Sequence, residues 1–297
     1  MTRAGTDRVV IVVPTYNERD NLEWIVGRVR ASVPAVDVLV VDDGSPDGTG
    51  DLADELAAVD PQVSVVHRSE KAGLGAAYLH GFRVALDRGY DVVGEMDADG
   101  SHQPEQLPLL RAALADADLV IGSRWVSGGS VVNWPLSRKV LSVGGNLYAR
   151  VLLGIPLRDV TAGFRLFRRT TLEVIDLGSV ESAGYIFQTE LAFRTLRAGL
   201  RAVEVPIEFV ERVRGESKMS RDVATESLRR ITLWGLRERS RQVADVFVAF
   251  GEREEGPGEG IQLIALLELR TRLRDAPGIE ELHAFIEETT RFAGQRR

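Results

Sequence analysis

Hydrophobic residues gather in short runs that recur along the first half of the chain. Val9 to Val13, Val38 to Val41, Val63 to Val66, Val92 to Met96 and Leu119 to Ile121 are β-branched and nearly continuous. Runs without polar alternation predict parallel strands covered on both faces. Between the first four, the apolar positions take a helical period. Leu22, Ile25, Val26 and Val29 fall on one face of Asn21 to Ser32, and Thr49 to Ala58 and Gly75 to Arg88 behave similarly. Alternating strand and helix predicts right-handed β-α-β units that bind ligands at the carboxyl ends of the strands. Pro14 to Glu18, Asp42 to Asp47 and Asp97 to Gln103 each follow a strand and would share one rim.

Beyond residue 125 the pattern is mixed. Ser137 to Leu153 predicts a helix, Ala162 to Phe167 and Ala202 to Val210 predict strands, and Glu181 to Ala198 a helix between them. Asp222 to Val248 reads as one long helix. The Gly/Glu-rich stretch from Gly251 to Gly260 marks a linker, followed by charged amphipathic helices at Ile261 to Arg274 and Ile279 to Phe292 that carry no evident chemistry.

Composition narrows the classes. With 297 residues, 44% of them hydrophobic, the chain can bury a sizeable core. It has no cysteine, so disulfides, thiolate metal sites and a cysteine nucleophile are excluded, and a reducing cytosol is permitted. Met1 to Arg8 contains no apolar signal region, and no uncharged stretch approaches the roughly 20 residues of a spanning helix, so secretion and membrane spanning are not expected. A net charge of -7 argues against nucleic acid as a partner. Of 37 basic residues only Lys71, Lys139 and Lys218 are lysine. A bias toward arginine spares lysine mainly where a compact ammonium is needed, which points to these three positions.

The candidate chemistry lies on the predicted rim. Asp97-Ala98-Asp99 follows a strand, where paired carboxylates can hold magnesium or manganese and leave coordination positions open for substrate phosphates. Alone, such a pair is more often a turn former or helix cap. In Pro14-Thr15-Tyr16-Asn17-Glu18 the proline would end the ladder, the tyrosine ring could pack on a base and Glu18 could accept hydrogen bonds from it, with a helix cap at Asn17 or Asp20 as the structural counterpart. Asp42-Asp43-Gly44-Ser45-Pro46-Asp47-Gly48-Thr49 combines turn chemistry with acidic groups able to hold a ribose or base edge.

In this order the segments resemble family 2 glycosyltransferases with the GT-A fold. Gly122-Ser123-Arg124, Asn133-Trp134-Pro135, Ser137-Arg138-Lys139, Thr161 to Arg165 and Arg214 to Met219 look like dolichol-phosphate (polyprenol-phosphate) mannosyltransferases, over roughly residues 8 to 245. The resemblance implies an α/β, Rossmann-like, mostly parallel sheet flanked by helices over 8–245, a linker at 251–260 and a helical extension over 261–297. It implies mannose transfer from GDP-mannose to a polyprenyl (dolichyl) monophosphate, inverting and dependent on magnesium or manganese. Pro14, Tyr16, Glu18, Val41 and Asp43 would hold the nucleoside, and Asp97, Ala98 and Asp99 the diphosphate and metal. Family members commonly carry glutamine two residues after the second aspartate. Here Ser101 takes that place as third ligand, with His102 and Gln103 as neighbouring candidates. Arg212 and Lys218 would neutralise the departing diphosphate, and Arg124, Arg138 and Ser142 would contact the acceptor phosphate. Asp97, Asp99, Arg124 and Arg138 are the expected catalytic set.

A lipid acceptor requires a membrane surface or an integral membrane partner. Lys139 to Leu153 and Leu228 to Val243 are candidate interfacial helices, and the expected location is peripheral, at the cytoplasmic face. The alternatives are a family 2 transferase using UDP-glucose or another nucleotide sugar on this or another lipid or a polysaccharide, and a non-catalytic nucleotide-sugar-binding scaffold with 252–297 as its interaction module.

Overall fold

The computed structural model describes residues 7–180, 182, 184, 186–212 and 221–251, the last stretch with side chains over 225–240. Lys218, the segment from Arg214 to Met219 and the expected linker and extension after 251 lie outside the described residues. The strands are β1 (Val9–Thr15), β2 (Asp37–Asp42), β3 (Val63–His67), β4 (Val92–Glu95), β5 (Leu119–Ser123), β6 (Ser130–Val132), β7 (Arg165–Arg168), β8 (Ala202–Pro206) and β9 (Glu208–Val210). The helices are α1 (Arg19–Ser32), α2 (Thr49–Val59), α3 (Leu74–Asp87), α4 (Leu107–Ala113), α5 (Leu136–Leu153), α6 (Arg169–Val174), α7 (Ile186–Arg197) and α8 (Arg221–Gly251).

Seven strands form one sheet in the order β3-β2-β1-β4-β7-β5-β8. Neighbours are parallel except β7, which runs antiparallel to both β4 and β5. The continuous apolar runs of β1, β2, β4 and β5 have the expected cause, because these strands bury both faces, whereas the edge strand β3 is only partly covered. On β1 and β2, Val9, Ile11, Val13, Val38 and Val40 join Leu22, Ile25 and Val29 of α1 and Leu107 and Leu110 of α4 in one core. Val12 and Val41 face α3, where Gly81 comes so close that a Cβ there would lie 2.4 Å from Val12 Cγ1 and 3.0 Å from Val41 Cγ2. Tyr78 and Phe82 of α3 meet Phe187 and Phe167 at ring distances of 5.4 and 5.7 Å.

Three expectations about elements change. Pro14 does not end β1: the ladder to β2 runs on through Pro14 and Thr15, whereas the ladder to β4 stops at Val12. The run Ala162 to Phe167 yields a strand only from Arg165 to Arg168. The single strand expected from Ala202 to Val210 is two strands in different sheets. Pro206 has no N–H to extend the ladder, and Ile207 crosses over by donating to Ser123 O at 3.0 Å and accepting from Ser130 N at 2.9 Å. β9 then pairs with β6 in a small parallel sheet.

Chain contacts divide within α8, after Ala224, and Val151–Gly154 belongs with the smaller unit. In that unit Gly235 lies against Leu152, and Arg239 Nη2 donates to Val151 O at 3.4 Å. Among the described residues no helix is long and apolar enough to cross a membrane.

Candidate active site

The loops after β1 and β2 are fastened together. Asn17 N donates to Ser45 Oγ and Glu18 N to Thr49 Oγ1, both at 3.0 Å. Asn17 takes a positive φ of 58°, and Glu18 rather than Asn17 or Asp20 is the N-cap residue of α1. The consecutive aspartates divide their work. Asp42 is a turn anchor, accepting from Ser45 N, Ser45 Oγ and Thr15 Oγ1. Asp43 faces a cleft and pairs with Arg68 at 2.5 Å. Burial pushes the Asp43 carboxyl above its usual value, and Arg68 pulls it only partly back.

The cleft is open to solvent and is lined by Pro14, Tyr16, Glu18, Asp43, Lys71, Asp97, Ala98, Asp99 and Arg212, among others. Lys71 Nζ sits 4.0 Å from the Tyr16 ring centroid. Glu18 Oε2 accepts from Asn21 at 2.9 Å. Val41 is fully buried beneath α3, between β1 and β3, and does not line the cleft.

The acidic pair begins two residues past the end of β4. Asp97 Oδ1 accepts from the Tyr78 hydroxyl at 2.9 Å, and Asp99 Oδ1 accepts from Ser101 N at 3.0 Å. Arg212 Nη2 lies 3.1 Å from Asp99 Oδ2. Burial, then the adjacent Asp99 charge, raises Asp97 to about 7, against which the Tyr78 hydrogen bond works. Two carboxylates in this setting are poised for a cation.

Of the third-ligand candidates, His102 and Gln103 are committed elsewhere. His102 is buried and stacked on Phe164, and its Nδ1 accepts from Asp97 N at 3.3 Å. Burial lowers its pKa to about 4, so the ring is neutral. Gln103 donates to Gly100 O and accepts from Arg28. Ser101 Oγ is buried with no hydrogen-bond partner among the described residues, an orphaned oxygen beside the acidic pair. Asp97, Asp99 and Ser101 therefore fit a hard divalent ion. No cluster of three or more carboxylate or imidazole groups closes the site among the described residues, leaving positions for phosphate oxygens.

Behind the pair, Glu95 and Arg165 are fully buried. Arg165 spends its donors on the carbonyls of Ala162, Gln188 and Val160 at 2.6, 2.6 and 2.7 Å. Its Nε is 3.2 Å from Glu95 Oε1, yet neither Glu95 oxygen is aligned with a hydrogen-bond donor. Burial accordingly raises the Glu95 pKa to about 8 despite Arg165.

Arg124 and Arg138, distant in sequence from the cleft residues, converge on Trp134. Their guanidinium carbons are 5.5 and 4.0 Å from its ring centroid. Arg124 is held by Asp159 through Nε and Nη2 at 2.7 and 2.6 Å, and Nη2 also reaches Thr161 Oγ1 at 2.9 Å. Arg138 Nη1 pairs with Glu211. Asn146 of α5 ties the helix to the same loop by accepting from Val160 N at 2.8 Å. Ser142 is partly exposed one turn beyond Arg138. The indole N–H groups of Trp125 and Trp134 are buried without acceptors among the described residues.

β9 joins the two halves. Val210 N donates to Ser101 O at 3.0 Å and Glu211 N to Val132 O at 3.1 Å, which puts Glu211 on Arg138 and Arg212 on Asp99. Sequence reasoning missed Arg68, Tyr78, Asp159 and Glu211. Each resembles a surface charge or a core aromatic, and its partner lies 19 to 73 positions away.

A cleft at the carboxyl ends of a mostly parallel sheet, lined by an Asp-x-Asp pair, defines a nucleotide-sugar glycosyltransferase of the GT-A type. The model for glycosyl transferase family 2 matches residues 10–176, and the chain belongs to that family. It is 60% identical over 232 residues to an undecaprenyl-phosphate mannosyltransferase of Micrococcus luteus, covering 78% of this chain and 96% of that protein. It is 57% identical over 236 residues to a polyprenol monophosphomannose synthase of Mycolicibacterium smegmatis, covering 79% and 89%. The fold resembles glucosyl-3-phosphoglycerate synthase from Mycobacterium tuberculosis, solved with Mn2+, UDP and glucosyl-3-phosphoglycerate. The TM-score is 0.56 at 22% identity, over 78% of this chain and 79% of that one.

Proposed function

We propose that this glycosyltransferase moves mannose from GDP-mannose to a polyprenyl monophosphate, with inversion. The observation that carries the reading is the meeting of Arg124 and Arg138 over Trp134, joined through the Glu211-Arg212 dipeptide to Asp99. Forked guanidinium groups suit a phosphate, and the two buried indole N–H groups add donors. The names of the Micrococcus and Mycolicibacterium relatives support the same sugar and acceptor class.

The cleft residues hold the donor: Tyr16, Glu18 and Asp43 around the nucleoside, and Asp97, Ala98 and Asp99 at the diphosphate. Magnesium or manganese bound by Asp97, Asp99 and Ser101 would stabilise the charge on the departing diphosphate. Arg212 adds positive charge there, and the family resemblance would give Lys218 the same role. A phosphate monoester has a second pKa of about 6, so its oxygen is already ionised at neutral pH and no general base is required. That oxygen attacks the anomeric carbon in line, the bond to the diphosphate breaks, and GDP leaves with the electron pair. The protein supplies placement.

A lipid acceptor also explains α5. Leu136, Val140, Val143 and Leu147 recur at helical spacing and are 75%, 64%, 45% and 55% exposed, on the helix that carries Arg138 and Ser142. This face, flanked by Arg138 and Lys139, suits a bilayer interface and supports peripheral binding; the cytoplasmic face is the side we propose. Incubating the full chain and polyprenyl phosphate with radiolabelled GDP-mannose or UDP-glucose tests the reading. Label entering the organic phase from GDP-mannose is expected. Label entering it from UDP-glucose alone would transfer the assignment to a glucosyltransferase.

A further inference from the structure

Arg138 already holds an anion. Its Nη1 donates to Glu211 Oε1 at 2.6 Å and Oε2 at 2.5 Å, while the guanidinium rests over Trp134. The backbone of Glu211 is pinned, with Val210 N bonded to Ser101 O and Glu211 N to Val132 O, so that only its side chain is left to move. The side chains of the pair are 27% and 28% exposed, so water reaches the bond and the ion pair is weak enough to exchange.

We propose that Glu211 is an internal competitor at the acceptor subsite, a built-in carboxylate occupying the phosphate position on Arg138 that an incoming acceptor head group must displace. The inference rests on reading Arg138 as an acceptor-phosphate contact. A carboxylate and a phosphate dianion cannot share one guanidinium face without like-charge repulsion, so binding requires exchange. A phosphate monoester brings greater charge and three acceptor oxygens and wins that exchange. A monoanionic carboxylate offers Arg138 nothing that Glu211 does not. Glu211 thus lowers affinity for every anion that needs Arg138 by one common factor, the cost of freeing the guanidinium. Held over Trp134 in the empty enzyme, Arg138 also stays in its binding position.

The test measures binding of farnesyl phosphate and of farnesoic acid, its carboxylate counterpart, to the full chain by titration calorimetry without nucleotide sugar. The proteins are wild type, Glu211→Gln, Glu211→Ala and Arg138→Ala, each checked by thermal melting. Glu211→Gln keeps a hydrogen-bonding partner for Arg138 without the charge, and Glu211→Ala removes both. Both are expected to bind farnesyl phosphate about fivefold tighter than wild type, the equivalent of one partly exposed ion pair. Farnesoic acid should gain by a similar factor, because it must free the same guanidinium. If Arg138→Ala weakens farnesyl phosphate binding while both Glu211 variants bind it no better than wild type, the proposal is overturned and the acceptor reading stands. If Arg138→Ala leaves binding unchanged, both fall.

Discussion

The Tyr78 hydroxyl reaches the acidic pair from within the fold, donating to Asp97 Oδ1 at 2.9 Å while the ring stacks on Phe187. One aromatic side chain thus fixes the carboxylate against the core. Such supporting hydrogen bonds typically contribute a factor of about 10 to 100 to metal affinity. Tyr78→Phe should lower Mn2+ affinity by that order, read by electron paramagnetic resonance titration, with an unchanged far-UV spectrum. Wild-type affinity would show that the bond does not orient Asp97.

Asp99 joins the same site to Arg212, and its side chain is not part of the hydrophobic core. Asp99→Ala should abolish transfer, a loss of at least about a hundredfold, with little change in the thermal midpoint. Turnover like wild type would remove Asp99 from the metal site.

Glu95 gives the fold a pH dependence. Its pKa rises from an ordinary 4.5 to about 8 on folding. Between those values the unfolded chain has lost this proton and the folded chain keeps it. Stability from this group is therefore complete below 4.5 and lost as pH rises through 8, at up to about 1.4 kcal/mol per pH unit. Glu95→Gln should flatten that slope in urea unfolding at pH 5 and pH 8 with EDTA present. An identical slope in the variant would show that Arg165 keeps Glu95 ionised.

Two helical glycines should respond oppositely to alanine. Gly81 packs against Val12 and Val41, where a methyl has no room, so Gly81→Ala should cost about 1–3 kcal/mol and loosen the strands that end in Thr15 and Asp42. Gly144 in α5 meets nothing within 4 Å, and Gly144→Ala should add about 0.5–1 kcal/mol. Denaturant titration separates the two.

The parallel half of the sheet was legible because buried parallel strands leave runs such as Val9 to Val13. The orientation of β7 was not, since an apolar run carries no direction. The break at Pro206 was disguised by apolar residues on both sides. The donor residues were legible because they follow strand ends in compact motifs. Arg124 and Arg138 could be named from their motifs, but not their carboxylate partners Asp159 and Glu211, 35 and 73 positions away. Nothing local distinguishes those acids from solvated surface charges.

The most direct measurement is mannolipid synthesis by the purified full chain, using radiolabelled GDP-mannose and polyprenyl phosphate in vesicles, with Mn2+ or Mg2+ and again with EDTA. The predicted result is label in the organic phase that depends on the metal and falls at least about a hundredfold in Asp99→Ala. Organic-phase label that persists in EDTA, or no label from GDP-mannose under any condition, would contradict the account.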